Sequence, residues 1–198
     1  MSKRKTSLLA ILGVVVVVAL AIGARMAILS GPDHAVGGGI GGPFTLVRDD
    51  GKTVTDKDFR GKSMLIYFGY TFCPDVCPTS LNLMTSALDR LEPAQRSKVV
   101  PVFITVDPAR DTPTVMKDYV SAFLPDMVGL TGSPEQVGKV MKAYKVYAAK
   151  VKSDDPTAYT VDHSSILYLV DAEGRFVQHF AHGTNVEDIV AGLKKHLE

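Results

Sequence analysis

"SMLIYFGYTFCPDVCPTSLNLM", residues 63–84, decides the fold. Its opening, Ser63 to Tyr70, is a near-continuous apolar run, the pattern of a strand buried on both faces in the middle of a sheet. From Ser80 the apolar residues Leu81, Leu83, Met84, Ala87, Leu88 and Leu91 fall at helical spacing. A buried strand running into a helix is the building unit of an open α/β sheet, and such sheets carry their sites in the loops at the C-terminal ends of strands. The loop in between holds the only two cysteines of the chain, Cys73 and Cys77, each followed by proline.

Outward from this unit, strand and helix patterns alternate. "KVVPVFITVD" (98–107) is a second buried strand. Upstream, "FTLVRDDGKTVT" (44–55) is a hairpin turning at Asp50-Gly51. Downstream, "DTPTVMKDYVSAF" (111–123) opens a helix with Thr112 as N-cap and Pro113 at the first helical position. "SPEQVGKVMKAY" (133–144) repeats that signature. "SSILYLV" (164–170), the turn "DAEG" and "RFVQHFA" (175–181) form a hairpin, and "NVEDIVAGLKKHL" (185–197) closes as an amphipathic helix capped by Asn185. The sum is an α/β domain over residues 43–198, with a mixed central sheet flanked by helices and no internal repeat.

The N-terminus is of another kind. Residues 1–7 form a basic tail, Leu8 to Ala24 is an uninterrupted run of apolar and glycine residues, and the run resumes after Arg25 to Leu29. A spanning helix needs roughly 20 such residues, and basic residues ahead of it keep that end in the cytoplasm. The expectation is a single-pass anchor at 8–29 and a glycine-rich tether at 30–42, with the folded domain exported. A cleaved signal peptide is the rival, with Ala19 to Ala21 near its cleavage site. No cysteine stands at the end of the run, which speaks against a lipoprotein anchor. Net charge is +1 over 198 residues; setting aside Lys3, Arg4, Lys5 and Arg25 leaves 18 basic against 21 acidic residues in 26–198. A mildly acidic domain has no basic footprint for nucleic acid.

Outside the cytosol a cysteine pair can be a disulfide, so location alone does not settle its role. With Pro78 at the first position of the helix, Cys77 falls near the N-cap, where unpaired N–H groups lower a thiol pKa. Cys73 lies four residues, about one helical turn, before it. A disulfide closing so small a loop is a poor staple. A redox dithiol is the stronger reading, yet thioredoxin-like oxidoreductases have two intervening residues, a tryptophan before the first cysteine and a facing proline. Here there are three intervening residues, no tryptophan, and "TVDH" in the proline's place. In a thioredoxin-like sheet, the loop holding His163 would face the cysteines. Two thiolates and an imidazole suit copper or zinc. Asp75 is either an outer or weak axial group of such a site or a turn-stabilising residue. His34 reads as a solvated tether residue, His179 as a surface strand residue and His182 as a turn residue.

Three segments, "YFGYTFCPDVCPTSLNLM", "FITVDPARDTPTVMKDYVSAF" and "YTVDHSSILYLVD", closely resemble the Sco/SenC family of copper proteins in order and spacing, from Phe44 to about Leu197. The resemblance implies a thioredoxin-like fold on a membrane tether. It implies one copper per chain, held by Cys73, Cys77 and His163. The implied role is a chaperone that delivers copper to the dinuclear CuA site of a cytochrome c oxidase subunit. An alternative is a thiol–disulfide reductase for that site, working with another copper carrier. A thioredoxin-like reductant would then be a further partner. The implied location is the periplasmic face of a bacterial inner membrane, the alternative being the mitochondrial intermembrane space; no transit peptide is recognisable, which favours the former. Asp107, Arg110 and Asp111 match the family's signature and are expected at the rim beside the copper loop or in partner contact. The plainer expectation is that Asp111 and Thr112 cap a helix while Arg110 pairs with a nearby acid.

Overall fold

A computed structural model describes residues 39–151 and 159–197. The chain divides into two units, Met1–Gly39 and Ile40–Glu198. The basic tail, the apolar run and His34 lie outside the described residues. Among those described, no helix is long and apolar enough to cross a membrane.

The folded unit begins a little earlier than the sequence suggests: the Gly41 N–H already donates to the Ala143 carbonyl at 2.9 Å. The strands are β1 (Thr45–Arg48), β2 (Thr53–Thr55), β3 (Ser63–Gly69), β4 (Val99–Thr105), β5 (Val128–Thr131), β6 (Ala148–Val151), β7 (Thr160–His163), β8 (Ile166–Val170) and β9 (Phe176–Ala181). The helices are α1 (Val76–Leu88), α2 (Pro93–Arg96), α3 (Pro113–Ser121), α4 (Pro134–Ala143) and α5 (Val186–His196).

Seven strands form one mixed sheet in the order β2-β1-β5-β4-β3-β8-β9. At its centre β3 runs parallel to β4, with Ile66 opposite Val102, and antiparallel to β8, with Ile66 opposite Tyr168. Every residue of β3 is buried, as its apolar run requires. Helix α1 packs against α5, while α3 lies against β5 and α4 against β1. The mixed sheet flanked by helices is the expected architecture.

The short strand β5 was not legible: "VGLT" is too brief and glycine-broken to carry a periodic signal, and β4 and β1 pair with it on either side. Strands β6 and β7 make a second, two-stranded sheet, bonded to no other strand among the described residues, with Ala148 opposite His163. His163 is therefore the last residue of a strand, not a loop residue. The cap signals hold where side chains supply them. Thr112 accepts from the Val115 N–H, Ser133 completes a capping box with Gln136, and Asn185 accepts from the Asp188 N–H.

Candidate metal centre

Strand β3 ends at Gly69, beside Thr105 at the end of β4. The chain turns through Tyr70 to Asp75 and enters α1 at Val76. The start of this helix corrects the sequence reading. Asp75, not Cys77, is the N-cap, and Pro78 lies inside the first turn rather than at its first position. Cys77 is thus a buried residue of the helix, and Cys73 is the thiol set before it, with the Cys77 N–H 3.4 Å from its sulfur. The helix start and its positive end serve Cys73.

Both cysteines are free thiols. Their sulfurs and one ring nitrogen of His163 all lie within 4.8 Å of one another. Cys77 Sγ is 3.3 Å from His163 Nε2. The other ring nitrogen, Nδ1, faces the Ser164 carbonyl at 3.2 Å. A carbonyl only accepts, so Nδ1–H is the donor in this contact, and in the tautomer with its one proton on Nδ1 the Nε2 lone pair faces the sulfurs. That is the arrangement by which a second hydrogen bond fixes the tautomer of a metal-binding histidine. Tyr67 and Tyr70 meet the imidazole edge-on, with ring centroids 6.1 and 5.8 Å away.

The two thiols have opposite environments. The adjacent Cys77 S–H, followed by the backbone N–H groups of Asp75 and Cys77, holds the Cys73 thiol down to about 4 although burial opposes it. Its neighbour Cys77 is pushed far above the usual thiol range by the Cys73 sulfur and by burial. The pair as a whole therefore gives up one proton readily and the second reluctantly. Burial and the nearby Cys77 raise the Tyr67 phenol, which meets the Ser165 hydroxyl at 3.0 Å.

Gly69 makes room for the inner sulfur. A Cβ at this position would lie 2.7 Å from Cys77 Sγ and 2.9 Å from the Phe103 ring. Only glycine fits beneath that thiol.

Asp111 and Asp107 occupy the ends of this loop's supports. Asp111 is wholly buried, and its carboxylate accepts from the Thr71 N–H at 3.1 Å and from the Thr71 and Thr105 hydroxyls at 2.6 Å each. It ties the residue two before Cys73 to the end of β4; Thr112 alone caps α3. Burial outweighs those donors and raises its pKa. Asp107, also buried, accepts from Arg110 Nε and from the Tyr159 hydroxyl, which reaches both its oxygens at 2.8 Å.

The exposed Asp75 carboxylate accepts from the Thr79 hydroxyl at 3.4 Å and lies outside the donor cluster. His179 is exposed and stacks on Phe176. His182 stands in the turn before Gly183 and reaches the Ser165 hydroxyl at 3.4 Å. Sequence reasoning missed Gly69, Thr71, Thr105 and Tyr159. A glycine closing an otherwise apolar strand just before the cysteines was a usable signal for the first; the others carry none.

The family model described as SCO1/SenC matches residues 32–198. "Protein SCO1 homolog 1, mitochondrial" of Arabidopsis thaliana is 44% identical over 158 residues, 80% of this chain and 47% of that protein. The chain thus spans about half the length of that relative. A "SCO2-like protein" of Rickettsia felis is 44% identical over 156 residues, 78% of this chain and 76% of the relative. The structure of Bradyrhizobium japonicum ScoI with copper bound superposes with a TM-score of 0.71 at 48% identity, covering 79% of this chain and 99% of that one. With the match running through strand, cysteine loop and histidine ribbon alike, the chain belongs to the SCO1/SenC family.

Proposed function

We propose that this chain is a copper carrier that holds one copper ion on Cys73, Cys77 and His163 and hands it to the CuA site of a cytochrome c oxidase subunit. The observation that carries the reading is the convergence of two thiols and an imidazole, from a loop, a helix and a separate ribbon, to within 4.8 Å. Soft thiolates with one imidazole suit copper in either oxidation state. Cys73 supplies a thiolate at neutral pH without any metal, so an incoming cation meets a charged donor at once. Cys77 loses its proton as the metal arrives, and the uptake is therefore proton-coupled. The role is binding and transfer, not turnover of a substrate. Copper-bound relatives support the cargo. An N-terminal anchor at residues 8–29 would hold the domain at a membrane, on the periplasmic side in a bacterium or in the intermembrane space of a mitochondrion; relatives of both origins are similar to it. Ahead of Cys73, Phe72 stands exposed, and Tyr147 stands exposed at the head of β6, a rim against which an oxidase subunit would dock.

The test is copper titration of the reduced domain, residues 40–198, against His163→Ala. One equivalent of copper(II) with a sulfur-to-metal charge-transfer band that the variant loses is the expected result. Metal-free oxidation to a disulfide, equal in both proteins, would sink it. One feature favours the second reading, a reductase for the oxidase cysteines: the low-pKa Cys73 is the natural attacking thiolate, with Cys77 positioned to resolve the mixed disulfide. Under that reading His163→Ala leaves target reduction intact.

A further inference from the structure

The donors of the candidate site sit on two bodies. Cys73 and Cys77 belong to the loop and helix that follow the central strand. His163 ends the β6–β7 ribbon, which pairs with no other strand among the described residues. A lone two-stranded ribbon is marginal by itself, so side-chain contacts must decide where it rests.

Arg110 touches both bodies. Its guanidinium lies 3.8 Å over the Tyr159 ring, at the entry to β7, and its Nη1 donates to the Tyr159 carbonyl at 3.0 Å. The same group lies 4.7 Å from the ring of Phe72, the residue before Cys73, and 5.6 Å from the ring of Tyr70, which packs on His163. Nε is pinned by the buried Asp107. Among the described residues, the buried Nη2 has no hydrogen-bond partner, and the guanidinium carbon lies over three rings. Phe72 is 59% exposed, and the guanidinium is what its ring rests against. Lys150 of β6 adds a cation 4.2 Å over the other contact of the cluster, the Tyr159 ring, and lies 3.8 Å from Asp107.

We propose that Arg110 is a positioning residue that clips the His163 ribbon to the Cys73 loop, and thereby decides whether bound copper is held by three donors or by two. The statement about copper rests on the proposed carrier function; the statement about the clip does not. The clip works by geometry. A planar guanidinium can stack on Tyr159 and Phe72 while its fork bonds Asp107 and the Tyr159 carbonyl. A lysine can keep the charge opposite Asp107 but not the stack or the fork.

Arg110→Lys is therefore the informative variant, since it spares the buried carboxylate an unpaired charge. In the reduced, metal-free domain, amide hydrogen exchange in Ala148–Val151 and Thr160–His163 should quicken by about tenfold, the scale of one lost stacking contact, with β3 unchanged. Tyr159→Leu, which removes the ring from the other side, should reproduce that pattern. In the copper(II)-loaded domain, nitrogen hyperfine coupling from the histidine should weaken. Copper loss to a competing chelator should quicken by about tenfold, and stoichiometry should stay at one. Ribbon exchange and copper loss both equal to wild type would overturn the proposal. So would exchange that quickens equally in β3, because Arg110 would then be a general stabiliser. If wild type binds copper with no nitrogen ligand, the carrier site as assigned fails, while exchange in the metal-free proteins still decides the clip.

Discussion

Replacing Gly69 with alanine should damage stability and the site together, by an amount that can be worked from the structure. The new Cβ would stand 2.7 Å from Cys77 Sγ and 2.9 Å from the Phe103 ring. Ordinary contacts between such atoms are about 3.5–4.0 Å, so each is too close by roughly 1 Å. Gly69 ends a strand buried between β4 and β8, and Cys77 sits on the inner face of α1, so neither can retreat freely. Overpacking of this kind costs about 1–3 kcal/mol, a sizeable part of a typical stability of about 5–15 kcal/mol. The movement that relieves the clash carries the sulfur away from His163 Nε2, now 3.3 Å distant. Urea unfolding of the reduced domain measures the first effect, and copper(II) titration the second. The double variant Gly69→Ala/Cys77→Ala removes the clashing sulfur, so its loss of stability should be smaller than the sum of the two separate losses. Unchanged urea midpoint and unchanged copper binding in Gly69→Ala would refute the reasoning outright. Additive losses in the double variant would place the strain on Phe103 instead.

Three further outcomes are expected. Thiolate absorbance of the reduced, metal-free domain should show one group already ionised at neutral pH, titrating near 4, and iodoacetamide should label Cys73 well before the buried Cys77. The sign for stability follows: a thiol whose folded pKa is depressed contributes fully above the unfolded value, here near 9, and the contribution fades as pH falls toward 4. The stability difference between wild type and Cys73→Ala should thus grow from pH 4 to 9, and a flat difference would contradict it. Asp111→Ala strips acceptors from one N–H and two hydroxyls around a buried position. At about 1–3 kcal/mol for each buried group left unpaired, and with the hydroxyls free to turn elsewhere, a loss of about 2–4 kcal/mol in urea unfolding is expected, with faster exchange at Thr71; a loss under about 0.5 kcal/mol would count against the tie.

What could be read from the chain followed from local signals. The all-apolar "SMLIYFG" and the helical spacing after Ser80 mark β3 and α1, and Thr112, Ser133 and Asn185 mark helix starts because a cap is a contact between residues three apart. That Cys73, Cys77 and His163 come together was legible through the family resemblance and through the expectation that the loop before "SSILYLV" faces the cysteine loop. The identity of the low-pKa thiol was not. It turns on where α1 begins, and with prolines at 74 and 78 a helix entering at 76 and one entering at 78 read alike. Nor was the support of the site legible: Asp111 to Thr71 and Arg110 to Tyr159 join residues 40 and 49 apart, contacts with no periodic trace.

The distance along the chain between the donors has a consequence for biogenesis. Cys77 and His163 are 86 residues apart and meet only when β3, β8 and the ribbon are in place. An unfolded chain offers a metal the two neighbouring thiols and nothing more. The third donor exists only in the finished fold, so the metal favours the folded chain by mass action in proportion to what that donor adds. If the chain is the copper carrier proposed above, loading would act as a proofreading step: a chain that had not closed its sheet would hold its cargo weakly and surrender it, and only a correctly assembled molecule would keep a metal long enough to deliver it.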